Sequence, residues 1–352
     1  MENRGLLFIP DISGFTRFVT EAEIEHSRLV IQELLEVLMN ANDLGLEVSE
    51  VEGDAILFYR FGAEPSLQEL YRQVEKMFIA FHRSLVAYER RKYCQCAACR
   101  AAVDLTLKVI CHYGEFTGYS VRQFHKLIGK DVIVAHQLLK NDIEQHEYWL
   151  VTDSLLHDPP PAFARWMQWN SSSRQTESGE IPFRYTQLGP LKDELPPEPL
   201  PQTDLDQKAK VLTLSREYDT DLITLFHATG DFRYRHRWVE GVQRVEEVEH
   251  LLPRVGMRCR YILADGEVGY YSSSYAYQPD RIAFCETDDR NQNVLCFTLE
   301  QGGPARSKLT VEVYHPKNAL RQFLFRLVGQ TKAEASWRRS LERLAALLPE
   351  VL

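Results

Sequence analysis

The order of apolar and polar positions divides the chain into runs of two periods. Leu6-Leu7-Phe8-Ile9 is a continuous apolar run and predicts a strand. Pro10-Asp11-Ile12-Ser13-Gly14 turns out of it, and Phe18, Ala22, Leu29, Ile31, Leu34, Leu35 and Leu38 then recur at helical spacing, which predicts a helix from Arg17 to Met39. The stretch Val48 to Tyr59 predicts a hairpin turning at Gly53-Asp54. A second helix is expected from Ser66 to Arg91, with Leu70, Val74, Met77, Phe78, Phe81 and Leu85 on one face. A strand over Leu105–Ile110 runs on into Cys111-His112-Tyr113-Gly114. After it, Gly129 opens an amphipathic helix reaching Lys140, and Glu147–Leu156 holds a closing strand.

Residues 158–207 read as a connector, opened by Pro159-Pro160-Pro161, carrying Ser171-Ser172-Ser173 and closed by prolines from Pro196 to Pro201; Phe183–Leu188 adds a last strand to the first domain. Beyond Lys208 the pattern changes to successive strands: Val211–Tyr218, Arg244–His250, Met257–Ala264, Val268–Tyr277, Arg281–Asp288, Asn293–Glu300 and Ser307–Tyr314. A long helix, Asn318 to Leu348, closes the chain, with a core stripe of Leu320, Phe323, Leu324 and Leu327 returning as Leu341, Leu344 and Leu348. The expected organisation is a first α+β domain over 1–190, a Pro-rich linker over 191–207 and a second α+β domain over 208–352.

Composition narrows the class. Of 352 residues, 44% are hydrophobic and 26% charged, as in a globular protein. A net charge of -9 argues against a nucleic-acid groove. No apolar run is long enough for a transmembrane segment and no signal peptide is apparent, so a cytoplasmic protein is expected. Seven cysteines, an odd number with three clustered, argue against a disulfide framework.

The candidate chemistry begins with Asp11 and Asp54. Pairing the hairpin beside the first strand brings these carboxylates to adjacent strand ends, the apparatus that holds Mg²⁺ or Mn²⁺ carrying a triphosphate. The alternative is that Asp11 caps the helix and Gly14 serves the turn. Cys94, Cys96 and Cys99 are spaced to share a structural Zn²⁺, with a fourth ligand among His82, Cys111 and His112; reduced, partly buried thiols or a redox sensor are the other readings.

Asp11-Ile12-Ser13-Gly14-Phe15-Thr16 and Gly53-Asp54 resemble the two metal-binding motifs of class III adenylyl and guanylyl cyclases. The resemblance implies a ferredoxin-like domain, metal at Asp11 and Asp54, phosphate near Ser13, Gly14 and Phe15, a purine nucleoside triphosphate as ligand and a head-to-tail homodimer. His112 and Gly114 fit the family's strand end, where Cys111 departs from it. Glu50 occupies the purine-reading position in its guanylyl form, and its partner position is Lys126; the two either pair with each other or accept from and donate to guanine. Gly129, Val132 and Ala135 match the next motif, but the ribose-orienting Asn falls on Ile133 and the transition-state Arg on Gln137. That cation stabilises developing charge on the reacting phosphate, so its loss points to a weakened or inactive domain unless Lys130, His136 or Gln137 substitutes.

The second domain resembles START-like, or polyketide-cyclase-like, helix-grip proteins (the SRPBCC group), in which an antiparallel sheet closes over a long C-terminal helix. The resemblance rests on Arg237-Trp238-Val239-Glu240-Gly241-Val242 and Val255-Gly256-Met257-Arg258. It implies an apolar cavity lined by Trp238, Tyr261, Tyr271, Tyr275, Phe284 and Phe297, binding a lipid or other apolar small molecule, the alternative being a solid aromatic core. Three functions are compatible with these features: a signalling protein with a degenerate nucleotide-binding domain and an apolar-ligand sensor, a working cyclase acting on GTP or ATP, or a carrier whose first domain serves dimerisation.

Overall fold

The computed structural model describes residues 3–21, 24–92, 96–156, 159–176, 179–197, 203–249, 255–264 and 266–351. Its residues group into two compact units, 1–89 with 95–198, and 90–94 with 199–352.

In the first unit the apolar run becomes β1 (Arg4–Ser13), buried from Gly5 onward because it lies in the middle of a sheet. It leads into α1 (Phe15–Glu21) and α2 (Ile24–Asn40), over which the helix expected from Arg17 to Met39 falls, its residues 22 and 23 lying outside the described set. The hairpin is β2 (Glu47–Glu52) and β3 (Ala55–Phe61), followed by α3 (Leu67–Arg91) and the short α4 (Ala97–Ala101). Then come β4 (Thr106–Glu115), the two-stranded arm β5 (Thr117–Val121) and β6 (Phe124–Ile128), α5 (Lys130–Leu138) and β7 (Tyr148–Thr152).

The unit ends in a second hairpin, β8 (Asn170–Thr176) and β9 (Gly179–Gln187). Ser171–Ser173 therefore belong to an edge strand paired with β9, not to a connector. Polar residues suit that place, since an exposed edge is safest when it offers no apolar side chains. Sheet order is β2-β3-β1-β4-β7-β9-β8, antiparallel throughout except β4 with β7. Alternation along β7 shows how the faces are covered. Tyr148 and Leu150 join the α5 side with Val132, Ala135 and Leu138, whereas Trp149 meets Tyr71 of α3 with ring centroids 6.1 Å apart.

β4 and α5 are tied by one carboxylate. Asp131 accepts from the Glu115 amide at 2.6 Å and bonds His112 Nε2 at 3.0 Å, and His112 Nδ1 meets Thr152 Oγ1 at 2.8 Å. The hydrogen bond from His112, ahead of other causes, holds the Asp131 carboxyl below its ordinary range. Asp131 lies so close to Gly114 that a Cβ there would stand 2.3 Å from its Cγ. Gly114→Ala is expected to cost about 2 kcal/mol in denaturant unfolding, while Gly118→Ala on the exposed β5 stays within about 0.5 kcal/mol.

In the second unit β10 (Lys208–Tyr218) is followed by α6 (Leu222–Gly230) and α7 (Phe232–Trp238), two helices that the strand pattern does not suggest. Asp221 caps α6, its carboxylate accepting from the Ile223 and Thr224 amides. β11 (Val242–Glu249), β12 (Arg258–Leu263), β13 (Gly266–Gln278), β14 (Arg281–Asp288), β15 (Val294–Gly303) and β16 (Arg306–Pro316) complete an antiparallel sheet ordered β10-β16-β15-β14-β13-β12-β11. Cys285 and Cys296, opposite one another on β14 and β15, form a disulfide, a single cross-strand pair that the cysteine count does not suggest.

The closing helix is not one rod. It runs as α8 (Ala319–Leu324), a π-turn (Phe325–Gly329) and α9 (Gln330–Leu347). Leu341, Leu344 and Leu347 join the core formed by Leu212, Phe226, Leu309 and Val311, but Phe323 and Leu327, expected in the same stripe, are exposed. The side chains of Leu320 and Leu324 lie outside the described set. Among the described residues no helix is long and apolar enough to cross a membrane.

Candidate functional site

A recess of about 790 Å³ opens where β1, β3, β4 and α5 meet. Its floor is set by strand register. Asp11 stands opposite Ala55 of β3 and opposite Lys108 of β4, and the Ile12 amide donates to the Asp54 carbonyl at 2.9 Å. Asp11 and Asp54 thus line one recess. At the mouth, Gly14 takes φ +91°, a left-handed conformation that side chains other than glycine adopt at a cost, and turns the chain from β1 into α1. Ser13, Gly14 and Phe15 line the same recess.

The electrostatics are those of two half-sunken carboxylates. Burial, then the neighbouring Asp11 charge, pushes Asp54 from 3.8 up to about 6. Burial also raises Asp11, against the pull of the Lys108 ammonium, whose Nζ lies 3.3 Å from Asp11 Oδ1 and donates to the Leu139 carbonyl at 3.2 Å. Lys108 is not among the site residues expected from the sequence. A signal for it exists: it is the one charged residue in an otherwise apolar and hydroxyl strand, Leu105–Ile110, and the register puts it across from Asp11.

α5 supplies another wall. Ile133, His136 and Gln137 line the recess, joined by Lys140 and His146 from the segment between α5 and β7. Ile133 is 57% exposed, so its apolar side chain is not held by a core. Lys130 is exposed and is not among the lining residues. The hydroxyl of Ser13 and the Gln137 amide oxygen are buried with no hydrogen-bond partner among the described residues. An unpaired buried polar atom costs about 1–3 kcal/mol, so both are better served when something polar enters the recess.

Glu50 and Lys126 form an ion pair between β2 and β6, beyond the lining of the recess. His136 links the two places, 3.6 Å from Glu50 and 3.9 Å from Glu52. Glu50, Glu52 and His136 offer ligand atoms all within 4.8 Å of one another, a grouping that sequence spacing does not suggest because it joins a hairpin to a helix far along the chain.

Of the cysteine cluster, Cys94 lies outside the described residues. Cys96 caps α4, its sulfur accepting from the Cys99 amide, and Cys99 is buried. Of the three candidates for a fourth ligand, two have hydrogen-bond partners and the third is a buried, neutral imidazole. Cys111 Sγ accepts from Trp149 Nε1 at 3.3 Å, and burial pushes its thiol up to about 12, so it is not a thiolate. Both ring nitrogens of His112 are bonded, one to Thr152 and the other to Asp131. Burial, with Lys192 nearby, holds His82 down at about 3, so the imidazole 3.4 Å from Glu147 is neutral.

In the second unit the aromatic residues pack on one another. Phe284 and Phe297 stack with centroids 4.8 Å apart, Trp238 meets Phe297 at 6.5 Å, and Tyr275 leans on Phe226 at 5.9 Å. Tyr271 carries the Arg258 guanidinium at 5.8 Å. Tyr261 belongs to a buried polar group that the sequence pattern does not reveal, in which Arg235 engages Glu286 through both terminal nitrogens and donates to the Tyr261 hydroxyl at 3.1 Å.

Comparison with known proteins finds the family described as "Protein of unknown function (DUF2652)" over residues 31–148. An uncharacterized protein of Mycobacterium tuberculosis, Rv2561/Rv2562, is 31% identical over 121 residues, 34% of this chain. The aligned stretch spans 56% of that relative's length, a little over half. Among solved structures, the guanylate cyclase domain of RhGC from Catenaria anguillulae, in complex with GTP, is similar over 53% of this chain and 98% of that one, at 14% identity and TM-score 0.38. The adenylyl cyclase CyaB from P. aeruginosa is similar over 53% and 95%, at 16% identity and TM-score 0.37.

Proposed function

We propose that the first unit binds a purine nucleoside triphosphate with a divalent cation, as a degenerate class III cyclase-like domain in a signalling protein. One observation carries the reading: Asp11 and Asp54, far apart in sequence, line one recess with their carboxyls raised by burial. Their hard oxygens, once deprotonated, fit Mg²⁺ or Mn²⁺, and a metal bound there would hold them ionised and polarise a phosphate oxygen. Lys108 favours the charged form of Asp11; Lys140 and His146 at the rim suit phosphate oxygens. The Glu50–Lys126 pair places an acceptor beside a donor, the complement of a guanine edge. Exposed apolar side chains on the arm and α5, Tyr119, Val121, Ile128 and Ile133, support a homodimer through that face.

The second unit, on this reading, is a START-like sensor of an apolar small molecule or lipid. Its strand order and the long helix after β16 support the likeness. Ile133 and Gln137 line the recess, and the motif resemblance would put an amide and a guanidinium at their positions, which favours binding over turnover. A working cyclase is the second reading, favoured by His136 and Lys140 in the recess.

Calorimetry with Mn²⁺ and a non-hydrolysable GTP analogue tests the proposal. Metal-dependent binding is expected, lost in Asp11→Ala; absence of metal-dependent binding to the wild type retires it. Cyclic product from GTP or ATP, abolished by the same substitution, selects the second reading.

A further inference from the structure

Between β16 and the buried part of α9 the chain presents apolar side chains outward. Phe323 is 60% exposed, Leu327 65% and Val328 80%, in a run from Phe323 to Gly329 where Arg326 is the one polar residue. The local geometry explains the outward turn. Phe325 packs edge-on against His315, at a ring-centroid distance of 4.8 Å. Gly329 permits this, since a Cβ there would stand 2.9 Å from the Phe325 ring. Residues 325–329 form a π-turn, which inserts an extra residue into the helical ladder and rotates the next turn away from the core face. With Phe325 anchored, Leu327 and Val328 cannot share its side of the helix.

The charge along this stretch of sequence has one sign as far as Ala333. From residue 317 to 333 the sequence carries Lys317, Arg321, Arg326 and Lys332 and no aspartate or glutamate, in a chain whose net charge is -9. Lys317 and Lys332 are exposed. Exposed apolar side chains in a stretch flanked by the exposed Lys317 and Lys332, on a helix too short and too charged to span a bilayer, are the makings of an interfacial segment. The apolar groups enter the headgroup boundary, and each cation near an anionic surface adds about 1 kcal/mol.

We infer that the segment from Lys317 to Lys332 is a docking surface for anionic membrane, with Phe323, Leu327 and Val328 as its inserting residues. The inference stands apart from the nucleotide reading of the first unit. Co-sedimentation of the full chain with vesicles tests it, comparing neutral phosphatidylcholine with mixtures containing phosphatidylserine. Binding is expected to the anionic vesicles, to weaken with salt, and to fall about tenfold or more in Phe323→Ser/Leu327→Ser/Val328→Ser. Lys332→Gln, a change at an exposed side chain, is expected to weaken binding to anionic vesicles several-fold, in keeping with about 1 kcal/mol per cation. Thermal unfolding matching the wild type shows that each variant is folded. Wild type that binds neither vesicle, or binds both equally, overturns the inference. So does triple-variant binding equal to wild type, or a ridge that proves to join two copies, seen as concentration-dependent self-association lost in the triple variant.

Discussion

Glu286→Ala is expected to destabilise the protein by about 3–5 kcal/mol, the largest loss we expect from a single substitution. Arg235 is fully buried and Glu286 is 2% exposed. The guanidinium lies 5.0, 5.3 and 5.6 Å from the ring centroids of Phe297, Trp238 and Phe232, with Tyr261 as a further polar contact. Burial raises the Glu286 carboxyl while the guanidinium draws it back, and Arg235 is itself held in its charged form by that carboxylate. Removing the acid leaves a buried cation with only a hydroxyl and ring faces for company. Removing both charges is a different experiment. Arg235→Met/Glu286→Leu is expected to cost less, about 1–3 kcal/mol, because the desolvation cost of both ions disappears with their attraction and only the buried Tyr261 hydroxyl is left unpaired. Chemical denaturation of wild type, single and double variants checks both statements. A loss below about 1 kcal/mol for Glu286→Ala means that water reaches Arg235.

Asp54→Asn is expected to stabilise the metal-free protein at neutral pH by about 1 kcal/mol, after allowance for partial exposure of the carboxyl. Asp54 titrates near 6 in the folded chain against 3.8 unfolded. Between those values the folded chain holds a proton that the unfolded chain has released. The group's contribution is therefore most favourable below about pH 4 and is lost as pH rises through about 6. The midpoint of the variant should exceed wild type by a few degrees at about pH 7.5 and converge with it near pH 4. If the first unit holds metal and nucleotide as proposed, adding Mn²⁺ with a nucleotide analogue is expected to reverse the order, since a ligand stabilises only a protein that can hold it. A variant midpoint at or below wild type at both pH values, without metal, removes the idea that the recess is a strained pair of carboxylates.

How much of this is legible in the sequence depends on whether the signal is local. The strand-turn at Asp11 and the hairpin at Asp54 are visible because apolar runs and small-residue turns act within a few residues. Their meeting is inferable because adjacent strands of one sheet bring their ends together. Lys108 needs register: only the pairing of β1 with β4 shows that it faces Asp11. Arg235 and Glu286 are out of reach, lying 51 residues apart on a helix and a strand. Ser171–Ser173 mislead because a polar edge strand and a linker have the same composition, and pairing with β9 decides between them. Phe323 and Leu327 mislead because helical spacing assumes an unbroken ladder, and the π-turn at 325–329 shifts the phase.

The carboxylate of Asp131 grips β4 with both oxygens while its own helix bears His136 and Gln137 on the recess. Wall and floor are consequently tied to one another through a single side chain. A shift of that helix is expected to be resisted at the end of β4, because the same carboxylate is bonded to His112, whose other ring nitrogen meets Thr152.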